Sequence, residues 1–168
     1  YPDLEDTAQI EARLSAAMPA GSGAARSAVP VGRLPGDIAV EIAVIAAKDK
    51  YTVTRLYPAG EEASAGLSPA VLAGNTLYVT ALAMPEAGVG LEEQFQAILT
   101  RQKLVLGLAE MDLSNVVYAD VYLTDVADTE AVRGLIGEAF GAKAPAGTIV
   151  GMNSENGAKV MVGLVAAK

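Results

Sequence analysis

Two oppositely charged residues stand out in an otherwise apolar part of the sequence. Arg26 and Glu41 lie in residues 25–48, where two short apolar segments flank a turn that contains Pro and Gly. A guanidinium group can hold a carboxylate through two parallel hydrogen bonds. A carboxylate in apolar surroundings is costly unless it is paired or hydrogen-bonded. The two residues therefore predict either a binding site for a small carboxylate or a structural ion pair, in which Glu41 bonds Arg26 or Arg33.

The residue types that are missing narrow the chemistry further. The 168-residue chain has no Cys and no His, which excludes thiol nucleophiles, imidazole bases and Cys/His metal sites. Acid–base chemistry is left to carboxylates, Arg, Lys, Tyr, hydroxyl groups and water. Four Asp residues lie at the starts of predicted helices, and we interpret them as helix caps, so no metal site is predicted. They are Asp3, Asp6, Asp125 and Asp128.

The charge balance argues against nucleic-acid and membrane partners. Asp and Glu total 20 against 12 Lys and Arg, a net charge of −8, whereas phosphate binding depends on clustered Lys and Arg. No apolar run reaches the roughly 18 residues of a membrane-spanning helix. Apolar residues make up 52% of the chain, which is enough for a sizeable core. We expect a cytoplasmic protein, although a start without Met leaves export open.

The spacing of apolar residues predicts alternating helices and strands. Gly74-Asn75 and Asn156-Gly157 each predict a hairpin turn between the strands that flank it. The predicted helices cover residues 7–18, 91–111 and 125–140. The predicted strands cover residues 25–31, 38–47, 51–57, 70–72, 76–83, 116–124, 148–152 and 158–167.

The chain also contains an internal repeat. Residues 1–7, 25–29 and 40–48 match, in order, residues 123–129, 146–150 and 160–168. Residues 1–48 therefore correspond to the C-terminal half of one domain, and residues 49–168 to a complete domain. Because half a sheet leaves an unpaired edge and an uncovered apolar face, we expect another chain or segment to complete residues 1–48.

Several segments, taken in order, resemble the reactive-intermediate deaminase family, also called Rid or YjgF. These are GNTLYVT at 74–80, a Gln-containing helix, NVVYADVYLTD at 115–125, PA-x-T-x-V at 145–150 and the apolar last strand. The resemblance covers a half domain and a complete one, as in a tandem member. It implies an α+β fold of the chorismate-mutase-like or ferredoxin-like kind, a mixed sheet with two helices on one face. It also implies a homotrimer or larger assembly with ligand sites between subunits.

The resemblance further implies a reaction and the residues that perform it. Catalytic members hydrolyse 2-imino or enamine acids to 2-oxo acids and ammonia without a cofactor. They use an Arg in Pro-Ala-Arg-Ser and a Glu fifteen residues later. Arg26-Ser27 and Glu41 match this signature, although Ala24 replaces the Pro. The expected catalytic residues are therefore Arg26 and Glu41, with Glu41 orienting a water. The expected substrate-binding residues are Arg26, Ser27 and Thr80.

The complete domain departs from that signature. Gly147 stands in place of the Arg, Met161 in place of the Glu, and Leu67 in place of an aromatic residue before the first hairpin. Ser27 and Thr80 also have a simpler interpretation, since strand hydroxyls often bond nearby backbone groups. A non-catalytic member that binds a small ligand, or that has a structural role in a larger assembly, therefore remains a second interpretation.

Overall fold

The computed structural model describes residues 7–18, 23–36, 38–48, 50–61, 67–86, 88–154 and 156–168. Within these ranges the helices are α1 (Thr7–Ala17), α2 (Leu91–Leu108) and α3 (Thr129–Phe140). None of them combines the length and apolar composition needed to cross a bilayer. All three lie within helices predicted from apolar periodicity.

The main sheet is mixed and has the strand order β2-β4-β5-β8-β6-β7. Strands β6 and β7 are parallel, and the other neighbours are antiparallel. A separate parallel pair joins β1 to β3 and ties the N-terminal segment to the complete domain. The strands are β1 (Ala24–Ala25), β2 (Val53–Leu56), β3 (Leu67–Ser68), β4 (Ala70–Ala73), β5 (Thr76–Ala83), β6 (Val116–Leu123), β7 (Ala146–Gly151) and β8 (Val160–Ala167).

Helices α2 and α3 cover the same face of the sheet. Their buried residues share one core cluster with alternate residues of β6 and β8, which must point to a single face because strand side chains alternate. Strand β8 is paired on both edges and buried along most of its length, as is typical of a strand covered on both faces. The mixed α+β sheet with two helices on one face is therefore confirmed.

Local signals in the complete domain are largely confirmed. Strands β4 and β5 form the predicted hairpin, and Gly74 takes a positive φ of 61° in its turn. The backbone N–H of Ala127 donates to Asp125 Oδ1 at 2.9 Å, so Asp125 is a cap as predicted. The side chain of Asp128 makes no cap hydrogen bond, and Asp3 and Asp6 lie outside the described residues.

The hairpin predicted at Asn156-Gly157 is wrong. Gly157 does turn the chain, with φ of 81°, but β7 and β8 are not neighbours because β6 lies between them. Both pair with β6, β7 in parallel and β8 in antiparallel orientation. A two-residue turn signal describes only the local backbone. The pairing of β7 and β8 is instead determined by β6, which lies more than twenty residues earlier in the sequence.

The two strands predicted in residues 25–48 are also largely absent. Only Ala24–Ala25 is paired, and residues 38–48 have no regular secondary structure. Ile42, Val44 and Ile45 are 59%, 78% and 75% exposed. Strand β8, which has a similar apolar sequence, is held between β5 and β6. Residues 38–48 have no such partner strands within the part of the chain that the structure describes.

Candidate functional site

A cavity of about 430 Å³ lies where the N-terminal segment meets the complete domain. The residue that follows β1 forms one wall, the region from β2 to β5 forms a second, and α2 forms the third. Its apolar lining includes Leu67, Val79, Leu82 and Val105. Its polar lining consists of Arg26, Tyr57, Glu61, Ser68, Thr80, Arg101 and Gln102.

Close backbone contacts fix the N-terminal segment next to this cavity. The carbonyl of Gly23 accepts hydrogen bonds from Arg55 Nε and Ser68 Oγ, both at 2.9 Å. The hydroxyls of Ser68 and Tyr57 are 2.8 Å apart and also hydrogen-bonded. A Cβ atom at position 23 would lie only 2.8 Å from Ser68 Oγ, so glycine permits this approach. These contacts fix β1 against β2 and β3, and Arg26 is the residue that follows β1.

A β-bulge in β5 shapes the opposite wall. The register between β5 and β8 shifts between Val79 and Leu82, so that Thr80 and Ala81 lie opposite the single residue Gly163. A Cβ at position 163 would be 3.1 Å from Ala81 Cβ, which makes this crossing tight for any larger residue. Bulges bend a strand and re-aim its side chains, often beside binding sites. Here the bulge places Thr80 on the cavity wall.

The two predicted hydroxyl residues both make backbone contacts at the bulge. The backbone N–H of Ala81 donates to Ser27 Oγ at 2.8 Å, and Thr80 Oγ1 donates to the carbonyl of Ser68, also at 2.8 Å. The structural interpretation of Ser27 and Thr80 therefore holds. It does not exclude a ligand contact, because Thr80 lines the cavity and a hydroxyl can accept as well as donate.

The structure brings together three of the four predicted site residues. Arg26 and Thr80 line the same cavity, and Ser27 is bonded to the residue next to Thr80. Glu41 is exposed and is not part of the cavity lining. Its predicted burial in a strand is absent for the same reason as the strand itself, since residues 38–48 have no partner strands within the described chain.

Other polar residues of the cavity were not predicted from the sequence. Tyr57 adds a phenol close to Leu67, the position where the family resemblance predicted an aromatic residue. Arg101 forms an ion pair with Glu61, and the two side chains are 21% and 43% exposed. Gln102 is 1% exposed. A polar side chain on the apolar face of α2 was the only sequence signal for Gln102, and nothing marked Tyr57, Glu61 or Arg101.

Gly147, where the resemblance predicts an Arg, lies in tight packing between two strands. A Cβ at position 147 would lie 2.2 Å from the carbonyl oxygen of Ala119, so the close approach of β6 and β7 there requires glycine. Met161 is 7% exposed and packs with Tyr122 and Val29. Among the described residues, no three His, Cys, Asp or Glu side chains lie close enough together to hold a metal ion.

These features define a class of protein, a small α+β domain with two helices on one face of a mixed sheet and a ligand-sized cavity at its junction with a second segment. The sequence model of the family "Endoribonuclease L-PSP" matches residues 59–168. The chain belongs to this family, which is the Rid or YjgF family. The match includes β3 to β8, α2 and α3, and leaves β2 and the N-terminal segment outside.

Solved structures agree with this assignment. A Mycobacterium tuberculosis member of the YjgF/YER057c/UK114 family is 26% identical, with a TM-score of 0.60, and the match covers 70% of this chain and 100% of that one. An Entamoeba histolytica protein named endoribonuclease L-PSP is 27% identical, with a TM-score of 0.61 and the same coverage. YyfA of Yersinia pestis, from the Rid family, shares the fold at 17% identity and a TM-score of 0.63, again over 70% and 100% of the two chains. A search of curated proteins finds no match.

Proposed function

We propose that the protein hydrolyses small 2-imino acids to 2-oxo acids and ammonia in the cavity beside Arg26. The observation that carries the proposal is the shared lining. Arg26 comes from the N-terminal segment, and the facing polar residues Thr80 and Gln102 come from the complete domain. The resemblance implies ligand sites between subunits, and this cavity is likewise built from two separate segments.

The cavity suits a short substrate with one carboxylate. Arg26 would hold the carboxylate through two parallel hydrogen bonds. The apolar side chains of Leu67, Val79 and Leu82 would contact a short aliphatic chain. At about 430 Å³ the cavity is near the small end of the range for ligand pockets. This volume favours acids with about three to five carbons over larger ones.

The reaction adds water to a carbon–nitrogen double bond. The water oxygen bonds to C2, the nitrogen takes up protons, and the C2–N bond breaks to release ammonia and leave the 2-oxo acid. Bound carboxylate and fixed dipoles around the cavity would stabilise the developing charges. We assign Glu41 to orienting and deprotonating the water in an assembly where residues 38–47 are paired, because in the described chain Glu41 is exposed.

The family name points to another substrate, RNA, which the composition does not favour. The net charge of −8 and the absence of His give no electrostatic attraction for a phosphate backbone and no imidazole for its cleavage. A small carboxylate with Arg26 as its counter-ion fits the cavity better.

The test is turnover of an imine generated in the assay. An amino-acid oxidase produces 2-iminobutanoate or 2-iminopropanoate, and the loss of imine is followed by competition with semicarbazide. We expect the wild type to accelerate imine loss and Arg26→Ala to abolish the acceleration. Arg133→Ala is the matched control, because Arg133 is exposed and, among the described residues, forms an ion pair with Glu130 three residues away on α3. A wild-type rate equal to the uncatalysed rate rejects the enzyme.

The distribution of the signature charges supports the alternative of a non-catalytic ligand-binding or structural member. Gly147 and Met161 deprive the complete domain of both signature charges, and Glu41 is outside the cavity. Under this alternative the protein binds small 2-oxo acids through Arg26 and does not accelerate imine loss. Calorimetric titration with 2-oxobutanoate, alongside the turnover assay, separates the two functions.

We also propose that residues 1–48 belong to a second Rid unit, so that the chain is a tandem member within a trimer or larger assembly. The support is the repeat together with the exposed apolar side chains of residues 38–47. In the complete copy the equivalent strand lies between β5 and β6. Strands of the same kind, from another chain or segment, would therefore pair with residues 38–47 by β-augmentation.

Light scattering after size exclusion tests the assembly. We expect a mass of at least three chains of 17.1 kDa for the wild type, and a lower mass for Ile42→Lys, which puts a charge where a strand should pack. Leu104→Lys is the control, since Leu104 is also an exposed apolar residue but lies on α2. A monomeric wild type, or equal effects of the two substitutions, contradicts the proposal.

A further inference from the structure

Two buried glutamines on α2 have different hydrogen bonding. Gln94 is bonded at both ends, since its Nε2 donates to the carbonyl of Gly157 at 3.0 Å and its Oε1 accepts from the backbone N–H of Lys159 at 2.8 Å. Gln102, eight residues later on the same face, donates through Nε2 to the carbonyl of Val162. Its Oε1 has no hydrogen-bond partner among the described residues.

The orientation of the Gln102 amide is fixed by its one bond. The carbonyl of Val162 can only accept, so the NH₂ end must face β8 and the oxygen must point away from it. Gln102 lines the cavity that holds Arg26, and its side chain is buried. A buried acceptor without a donor is unfavourable, and such groups in native structures call for an explanation.

We propose that Gln102 Oε1 accepts a hydrogen bond from the N–H group of a nitrogen-bearing ligand whose carboxylate is bound by Arg26. The oxygen is shielded from solvent, so bulk water does not supply the missing donor. Because this oxygen is buried, binding of a ligand N–H there requires side chains of the cavity wall to move slightly apart. This inference rests on the proposed function and adds the group that would recognise the substrate nitrogen.

The proposal explains how substrate and product could be distinguished. A 2-imino acid carries an N–H donor at C2, whereas the 2-oxo acid product carries an oxygen that can only accept. That oxygen would face the Gln102 carbonyl without a hydrogen between them. Gln102 is therefore a positioning and specificity residue, which favours the substrate and promotes release of the product.

Oxamate and pyruvate form a matched pair of probes. Both are planar, three-atom-backbone acids of nearly the same shape, but oxamate has an NH₂ group where pyruvate has a methyl group. We expect calorimetric titration to show wild-type protein binding oxamate about tenfold more tightly than pyruvate, the effect of one buried hydrogen bond. Gln102→Met should bind the two acids with equal affinity and should bind pyruvate within about twofold of wild type.

Gln94→Met is the matched control, because it removes the amide that is bonded only to backbone groups and should keep the preference for oxamate. The measurement on the wild type does not depend on whether a variant folds, and circular dichroism checks both variants. If the wild type binds oxamate and pyruvate with equal affinity, and Arg26→Ala abolishes this binding, the role of Gln102 is overturned and the proposed site is left intact. If the wild type binds neither acid, both the role of Gln102 and the proposed site are overturned. A preference lost in Gln102→Met supports the inference even if no imine turnover is found.

Discussion

The position of Arg26 depends on contacts made by the residues on either side of it. On one side, Gly23 accepts two hydrogen bonds from the complete domain. On the other, Ser27 accepts one from the bulged residue Ala81. A guanidinium on a long side chain has many rotamers, and fixing its backbone at both ends reduces the entropy lost when it binds a carboxylate.

Ser27→Ala should therefore weaken carboxylate binding without unfolding the protein. The N–H of Ala81 loses its acceptor, but the contact is exposed, so water can replace it and the free energy of unfolding should change little. We expect the dissociation constant for pyruvate to rise about three- to tenfold, as for the loss of one ordinary hydrogen bond. Ser154→Ala, which removes a loop hydroxyl bonded to Asn156, should leave the constant unchanged.

Tyr122 on β6 should titrate at unusually high pH. Burial raises the pKa of its phenol above the usual value, and the charges of Asp120 and Tyr118 raise the pKa further. Since the folded pKa is the higher one, the neutral phenol favours folding below about pH 10, and this contribution is lost as the pH rises through the folded pKa.

Absorbance titration at 295 nm of wild type and Tyr122→Phe would isolate this residue. We expect the difference between the two titration curves to have a midpoint above that of a free tyrosine. In denaturant unfolding above pH 10, we expect Tyr122→Phe to lose less stability than the wild type. A midpoint at or below the usual value would show that the phenol is not shielded as the structure indicates.

At the scale of single elements, glycine controls how closely neighbouring strands approach. The strongest case is Gly147 on β7, where a Cβ would lie 2.2 Å from the carbonyl oxygen of Ala119 on β6. Neither backbone can move without disturbing the parallel ladder between these strands. Position 147 is also where the resemblance predicts an Arg, and this packing leaves no room for a side chain.

Gly147→Ala should consequently destabilise the fold by about 1–3 kcal/mol, the range for overpacking. Gly134→Ala is the control, because Gly134 lies in α3 with open space around it and should gain about 0.5–1 kcal/mol from alanine's higher helix propensity. Urea unfolding measures both. Equal effects of the two substitutions would contradict the close approach of β6 and β7.

The elements of the complete domain could be predicted because their signals are local. The periodicity of α2 and the turn at Gly74 are readable within a few residues. The bulge at Thr80 and Ala81 is not, since it exists only in the register between β5 and β8. The Asn156-Gly157 hairpin was wrong for a related reason, because strand pairing depends on distant residues.

The candidate site was predictable only in part. Arg26, Ser27 and Thr80 follow from sequence spacing and resemblance, and the structure places them around one cavity. Tyr57 and Gln102 could not be assigned to the site, because they reach it from β2–β3 and α2 through tertiary packing alone. Glu41 carries a clear sequence signal, but the structure gives residues 38–48 no partner strand among the described residues.

At the scale of the whole molecule, the two copies of the repeat have opposite environments. Residues 160–167 are central and buried, whereas residues 40–47, which have the same apolar pattern, are unpaired and exposed. A long exposed apolar segment is an edge that proteins normally cover. The assembly proposed above would remove this difference and bring Glu41 into an ordered strand.

Hydrogen exchange should distinguish the two segments directly. In protein diluted until it is monomeric, we expect amides of residues 40–47 to exchange within seconds and those of residues 160–166 to be protected for hours or longer, because only the latter lie in the core of a sheet. At concentrations where the assembly forms, residues 40–47 should become protected. Rapid exchange of this segment at every concentration would show that copies of this chain do not cover it.

The central claim is that Arg26 and the wall formed by β5 and α2 bind one small carboxylate, and a pyruvate titration followed by nuclear magnetic resonance tests it most directly. We predict saturable shifts at the Arg26 Nε–H, at the backbone of Thr80 and Ala81, and at the side-chain amide of Gln102, all of which disappear in Arg26→Ala. Shifts confined to other parts of the protein, or shifts that persist in Arg26→Ala, would contradict the account.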